Sequence, residues 1–331
     1  MPVKSSGQLG MDEINSEHSK GNDLGAYRNT TFVTSSNRST TQSFKQTNIS
    51  FLDFYNTERV GQAVDMTSSQ TWGIPPAGGI ASVLIVAGGG GGWHMGGIPN
   101  TLEGTGGGGA GGCHITGFDQ PLPAGGRVVS SIGGGGSLNT GPRFQSSDWQ
   151  GFINSGKGSP TSVQCYNAGG GLVWSYNMTG GGAGGGIVGG RPHTSGSGTP
   201  GGSGGGGDAY FGRDSRGYAD NPAYGNPGGR GTENYTGGGG GGWGTAGRDG
   251  PPSGATGGDG RTVGYYGYNV TVGGGGGSGG RYNNSGQGGT GGGGPHGSPG
   301  GFATGGGAGG GLNVGYSTGG PGRVVIWYRS G

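Results

Sequence analysis

Residues 151–158, Gly-Phe-Ile-Asn-Ser-Gly-Lys-Gly, carry most of a phosphate-binding loop, a device in which backbone N–H groups cradle phosphate oxygens and the lysine reaches the terminal ones. Gly158 stands where a Ser or Thr hydroxyl must hold magnesium, and no clear strand precedes the octet, so phosphate chemistry is not expected. His18, His94, His114, His193 and His296 are scattered without HxxxH or HExxH spacing, which argues against a metal site. Carboxylates such as Asp208 and Asp214 are isolated, and Gly257-Gly258-Asp259-Gly260 is not repeated as a calcium-binding roll requires. Cys113 and Cys165 are too few for a disulfide scaffold and lack ligand spacing; buried free thiols are expected. Arg-Gly-Gly does not occur, Arg216-Gly217-Tyr218 and Arg230-Gly231-Thr232 being the nearest approaches to that RNA-binding tripeptide. No catalytic residue, cofactor or metal is expected, and the chain does not read as an enzyme.

The chemistry left is recognition by aromatic side chains. Trp149, Trp174, Tyr176, Tyr210, Phe211, Tyr218, Tyr224, Tyr235, Tyr265, Tyr266 and Tyr268 are interspersed with Asn, Ser and Arg. Stiff aromatics give contact area at low entropy cost, and the small polar residues adapt around them. The connection from Asp208 to Thr236 is long for a structureless loop, which also favours a function.

The elements that must position these residues are made of glycine, which supplies 101 of 331 residues. Glycine disfavours helix interiors by about 1 kcal/mol each relative to alanine, so the main body is not helical. Unbroken runs such as Gly88 to Gly92, Gly237 to Gly242 and Gly273 to Gly277 exclude collagen, which needs glycine only at every third position. Disorder is opposed by the apolar segments at 82–86 and 323–328. Strands are expected at 82–87, 113–118, 127–132, 162–166 and 323–328, bounded by turn residues such as those of 121–126.

The glycine stretches at 88–97, 104–112, 180–190, 200–207, 237–247, 273–280 and 286–294 have similar lengths. In polyproline II geometry each is a rod of roughly 25–35 Å. A lone rod has no internal hydrogen bonds, so its N–H groups must find carbonyls on neighbouring rods. The expected fold is mainly β and irregular: a small antiparallel sheet or sandwich as base, with an inserted array of antiparallel polyglycine helices, over 71–331. Counting alternate connections puts 98–103, 138–160, 172–179, 208–236, 261–272 and 295–304 at the end far from the base. The connections 191–199, 248–253 and 281–285 fall near it. By this count the aromatic candidates sit at the far end.

Residues 1–70 are glycine-poor and polar, an extended arm with short helical turns at 6–14 and 48–55, solvated between them over 16–47. The net charge of +2 gives no footprint for nucleic acid or an anionic membrane. No apolar run is long enough to enter a membrane, and none follows the opening Met-Pro-Val-Lys as a signal peptide needs.

The order Thr71-Trp72-Gly73-Ile74-Pro75-Pro76-Ala77-Gly78, the apolar strand 82–86 with its glycine run, and the closing Gly322-Arg323-Val324-Val325-Ile326-Trp327-Tyr328 resemble the start and end of glycine-rich domains in bacteriophage tail proteins. Gly106 to Thr116 and Ala124 to Gly136 are similar to that family's second glycine run, turn and strand, and the motifs at 6–14 and 49–55 resemble segments that recur near such domains. The resemblance implies a virion protein of the tail tip or tail fibre, made in the host cytoplasm, without cofactor. It implies a multi-subunit assembly in which the arm 1–70 attaches to other tail proteins, with Leu9, Met11, Ile14, Phe51, Leu52, Phe54 and Tyr55 as docking candidates. It implies polyglycine rods whose distal loops contact a host cell-surface protein or glycan. The alternative is a purely structural cap, collar or decoration protein that reads no receptor.

Overall fold

The computed structural model describes residues 3, 9–18, 20, 24–28, 30–34, 37–44, 51–54, 57–95, 105–137, 156–187, 195–196, 198–208, 215–232, 236–250, 254–280, 286–312 and 317–330. Among them the protein is mainly β, in several small and mostly antiparallel sheets, with one α-helix, α1 (Met11–His18). The strands before the glycine passes are β1 (Thr31–Thr34), β2 (Asn37–Ser43), β3 (Thr57–Arg59), β4 (Gln62–Met66), β5 (Gln70–Gly73) and β6 (Gly79–Val86). They are followed by β7 (His94–Met95), β8 (Cys113–Ile115), β9 (Gln120–Leu122), β10 (Arg127–Ser131), β11 (Thr161–Tyr166) and β12 (Leu172–Met178). The last are β13 (Gly186–Ile187), β14 (Ser195–Gly196), β15 (Arg261–Tyr265), β16 (Tyr268–Val272), β17 (Gly311–Leu312) and β18 (Arg323–Ser330).

β6 and β18 are apolar without alternation through their centres. Strand side chains alternate between faces, so such a run demands cover on both. The sheet β4-β18-β6-β8, with β9 also paired to β6, lies at the middle of three layers. Val83, Ile85, Val324, Ile326 and Tyr328 pack against Val128, Val163, Cys165 and Met178 of the second sheet, β12-β11-β10-β5. Leu84, Val86, Val325 and Trp327 pack against Val270, Val272 and Tyr266 around the hairpin β15–β16, and against Trp243. The hairpin is pinned where Trp327 Nε1 donates to the Tyr268 carbonyl at 2.9 Å and where Asp65 accepts from both Arg323 and Tyr268.

All five expected strands are present, with the second shortened to Cys113–Ile115. β4, β5, β12 and the β15–β16 hairpin were not expected. β4 pairs with β18 from Val324↔Met66 to Tyr328↔Gln62, so the stretch read as arm contributes a strand to the central sheet. The segment 16–47 also departs from an extended, solvated chain. It holds part of α1 and the strands of a sheet ordered β2-β1-β3, with a core of Ile14, Tyr27, Phe32, Phe44 and Phe54. Val33, the opposite face of β1, joins the hairpin-side core of the sandwich. Glu17 and Arg329 form a buried ion pair at 2.9 Å between α1 and β18.

The glycine passes carry almost no regular helix or strand, yet their hydrogen bonding is ordered. Every N–H from Thr105 to Gly112 is given to another pass. Gly106, Gly109 and Gly112 donate to Gly185, Gly182 and Thr179, a run of opposite sense. Gly107 and Ala110 donate to Gly238 and Gly241, a run of the same sense, and Gly108 and Gly111 donate to Ala308 and Gly305. Their carbonyls accept with the same spacing, from Trp93, Gly90 and Ala87, from Gly206 and Ser203, and from Gly279 and Gly276. Each third residue thus meets the same neighbour. Side chains have no room between passes: a Cβ on Gly108 would lie 2.2 Å from the Gly90 carbonyl oxygen and one on Gly240 would lie 1.9 Å from that of Gly108.

Passes 87–93, 179–187, 225–231, 273–280 and 305–312 lead away from the sandwich, and 105–112, 156–160, 236–242, 254–258 and 317–322 return to it. This corrects the expected ends. The chain returns along 198–202, where Thr199 and Gly202 donate to Ala183 and Gly180, and leaves again along 203–207, where Ser203 and Gly206 accept from Gly182 and Gly185. A second unexpected pass, 247–250, leads away beside 225–231, with Gly247 and Gly250 donating to Pro227 and Arg230. Segment 172–179 holds β12, paired with β11 in the second sheet, and 261–272 holds the β15–β16 hairpin, reached along the returning pass 254–258. Both therefore lie at the sandwich, while the residues flanking 191–194, 251–253 and 281–285 lie at the opposite end.

Candidate functional site

β12 is an edge strand of the second sheet, and its side chains meet β8 and β9 of the central sheet along a seam. Trp174 and Tyr176 alternate with Ser175 and Asn177 along β12, which turns both rings toward that seam while Met178 enters the core. Trp174 Nε1 donates to the Pro121 carbonyl at 2.9 Å, and the Tyr176 hydroxyl donates to Gln120 Oε1 at 2.8 Å, so both rings are tied across the seam to β9. Gln120 in turn donates to Asp119 at 2.6 Å.

His114 of β8 and Tyr224 complete the group. Tyr224 is placed by an Asn221 turn, in which the Asn221 side chain accepts from the Ala223 N–H and its carbonyl accepts from the Tyr224 N–H; the Tyr224 carbonyl accepts from Cys113. Ring centroids are 5.8 Å apart for Trp174–Tyr176, 5.8 Å for His114–Tyr176 and 5.1 Å for His114–Tyr224. All four side chains are half-buried. Burial holds the His114 imidazole below its ordinary value, favouring the neutral ring, and burial followed by the Asp119 charge and Tyr224 raises the Tyr176 phenol.

Three of the expected receptor-binding residues, Trp174, Tyr176 and Tyr224, thus meet one another, at the sandwich and not at the far end. Tyr265, Tyr266 and Tyr268 belong to the hairpin against Trp327, with Tyr266 buried at 8 % exposure, so all three are also corrected to the sandwich end. Phe118 packs edge-on to Tyr265 and Tyr266. Tyr218 is exposed on a returning pass, with the Arg216 guanidinium 5.4 Å over its ring. Trp149, Tyr210, Phe211 and Tyr235 lie outside the described residues.

Among the docking candidates, Leu9, Ile14 and Phe54 are buried in the N-terminal core and Met11 is half-buried against it. They hold the module together and do not present a docking face. Phe51 and Leu52 fall in the 3-10 turn Phe51–Phe54, and Tyr55 lies outside the described residues.

Cys113 and Cys165 are buried and unpaired with each other. Burial pushes the Cys165 thiol up to about 11 and the Cys113 thiol further still, so neither is a thiolate near neutrality. Among the described residues no His, Cys, Asp and Glu form a metal-holding cluster of three, and no helix is long and apolar enough to cross a membrane.

His114 was missed as a site residue because a lone histidine in a strand carries no sequence signal. It is the pairing of β8 with β6 that carries it to β12. No protein-family model matches the chain, and no curated protein matches it.

Proposed function

We propose that this chain is a non-enzymatic phage virion protein of the tail tip or tail fibre, in which glycine rods hold host-contacting connections away from the sandwich. The rods in this reading are polyproline II-type helices. What supports that geometry is hydrogen bonding that meets the same neighbour at every third residue, since polyproline II has three residues per turn and no bonds of its own. At about 3.1 Å per residue, the pass 105–112 spans roughly 25 Å.

The observation that carries the function is the sorting of connections by end. Chain reversals at the sandwich are short turns, as at 167–171 and 243–245. The connections leaving from the opposite end include 138–155, 209–214, 233–235 and 281–285, and these contain Trp149, Tyr210, Phe211, Tyr235 and Tyr282 among Asn, Ser and Arg. Gly156 donating to Ser137 at 2.6 Å shows how closely the feet of the longest are held. Loops on a rigid scaffold are the usual carriers of recognition. The receptor in this reading is a host-surface protein or glycan, and the N-terminal module joins the chain to other tail proteins.

Exchanging 138–155 for a short Gly-Ser linker tests the reading in reconstituted particles. Host adsorption should fall at least tenfold with the melting temperature unchanged. Unchanged adsorption with impaired particle assembly would instead favour the structural virion role. The attachment half is tested by deleting residues 1–55, which leaves β4 in the central sheet, whereas deletion to 70 removes it.

A further inference from the structure

We propose that the seam formed by Trp174, Tyr176, His114 and Tyr224 is a binding platform for neutral oligosaccharides, separate from the rod-tip connections and independent of the reading given to them. The rings form a continuous series, and none of the adjacent pairs stacks face to face. Trp174, Tyr176 and Tyr224 pack against the sandwich core, and all four side chains keep part of their surface in water. An aromatic face carries negative quadrupole density, which attracts the polarised C–H groups of a pyranose ring, while sugar hydroxyls need donors and acceptors at the ring edges.

Those groups are present. Gln120 offers an amide and Asp119 a carboxylate beside the Tyr176 hydroxyl. The His114 imidazole and the Tyr224 hydroxyl make no hydrogen bond to another described residue. An aromatic cover that only closed the sandwich edge would gain nothing from polar edges left to solvent. The set comprises both donors and acceptors with a single full charge, which suits a neutral polyhydroxylated ligand better than an anionic polymer.

The platform is also rigid before any ligand arrives. The bonds from Trp174 to Pro121 and from Tyr176 to Gln120 tie β12 to β9 across the seam, and the Asn221 turn fixes Tyr224. Rings already held in place lose little rotamer freedom on binding.

The test screens the full-length chain on an array of neutral hexose and N-acetylhexosamine oligosaccharides, followed by saturation-transfer NMR on those retained. At least one glycan should bind. Tyr224→Phe keeps the ring and removes one hydroxyl, so it should weaken binding about 3- to 10-fold, the value of one hydrogen bond, with an unchanged melting temperature. Trp174→Ala should weaken it more than tenfold. Exchange of 138–155 for a linker should leave it intact. The proposal is overturned if no neutral glycan binds, if binding is indifferent to both seam variants, or if it disappears with the 138–155 exchange alone. Capture of a protein partner through Trp174 without glycan binding overturns it as well.

Discussion

At Ile85, β6 sends a fully buried side chain into the core between two sheets; at Gly88, a few residues along the same chain, the backbone is equally buried with no side chain at all. Ile85 belongs to a region where apolar burial contributes about 25 cal/mol per Å² and the backbone bonds within its sheet. Gly88 belongs to one where the N–H reaches the Ser159 carbonyl at 3.0 Å and a Cβ would stand 2.0 Å from the Gly134 carbonyl oxygen. Fixing a residue's backbone costs about 1–2 kcal/mol, and a net hydrogen bond returns only about 1. The passes are therefore viable only when nearly every group is bonded, and they depend on the sandwich to hold their ends in register. One region tolerates small changes in side-chain volume; the other tolerates none.

That contrast has measurable consequences. Gly240→Ala places a methyl 1.9 Å from the Gly108 carbonyl oxygen inside the array and should cost more than about 4 kcal/mol, the range of severe defects, read as loss of the folded state by chemical denaturation. A near-neutral result would break the comparison. Ile85→Val removes one methylene from the sandwich core and should cost about 1 kcal/mol, because a core can lose volume more easily than the array can gain it.

The acid limb of stability offers a third measurement. Burial alone would raise the Asp65 carboxyl, but hydrogen bonds from Arg323 and Tyr268, with the Arg323 charge, outweigh it and hold the group below its ordinary value. The unfolded chain then takes up the proton first, so this contribution is complete above the unfolded value near about 4 and fades as pH falls through the lower folded value. Asp65→Asn should lower the melting temperature at pH 7 and flatten its decline below pH 4; parallel curves for the two proteins would remove Asp65 from the account. The smallest effect is expected at Gly134, where a Cβ meets no atom within 4 Å. Gly134→Ala should be neutral or stabilising by about 0.5 kcal/mol through the unfolded state, which sharpens the rule to glycines that face another pass.

The same rule explains what was legible. Passes 105–112 and 273–280 are enclosed by others, and their glycines run nearly unbroken, so both stand out in the sequence. In pass 225–231 Gly225, Gly228 and Gly231 are buried, while Asn226 and Pro227 are half-buried and Arg230 is exposed. A pass at the rim needs glycine only where it faces inward, and its sequence then reads as an ordinary loop. The outward pass along 247–250, Gly-Arg-Asp-Gly, is hidden in this way, and missing it sent the 265–268 tyrosines to the wrong end. Trp174 and Tyr176 were misplaced because β12 was not read as a strand. β12 was hidden for another reason: Leu172, Val173 and the rings that follow are apolar at an edge, a pattern shared by strands and binding loops.

The sequence by itself determined the building material and its limits: glycine for backbone contact, and apolar segments at 82–86 and 323–328 that require cover on both faces. Only the tertiary structure decided the sense of each pass, the end from which each connection leaves, and the meeting of His114 with Trp174, Tyr176 and Tyr224. The physical reason is that glycine carries no side chain to mark a direction or a neighbour. Register among the passes comes from backbone bonds between segments far apart in the chain, and no local pattern records them.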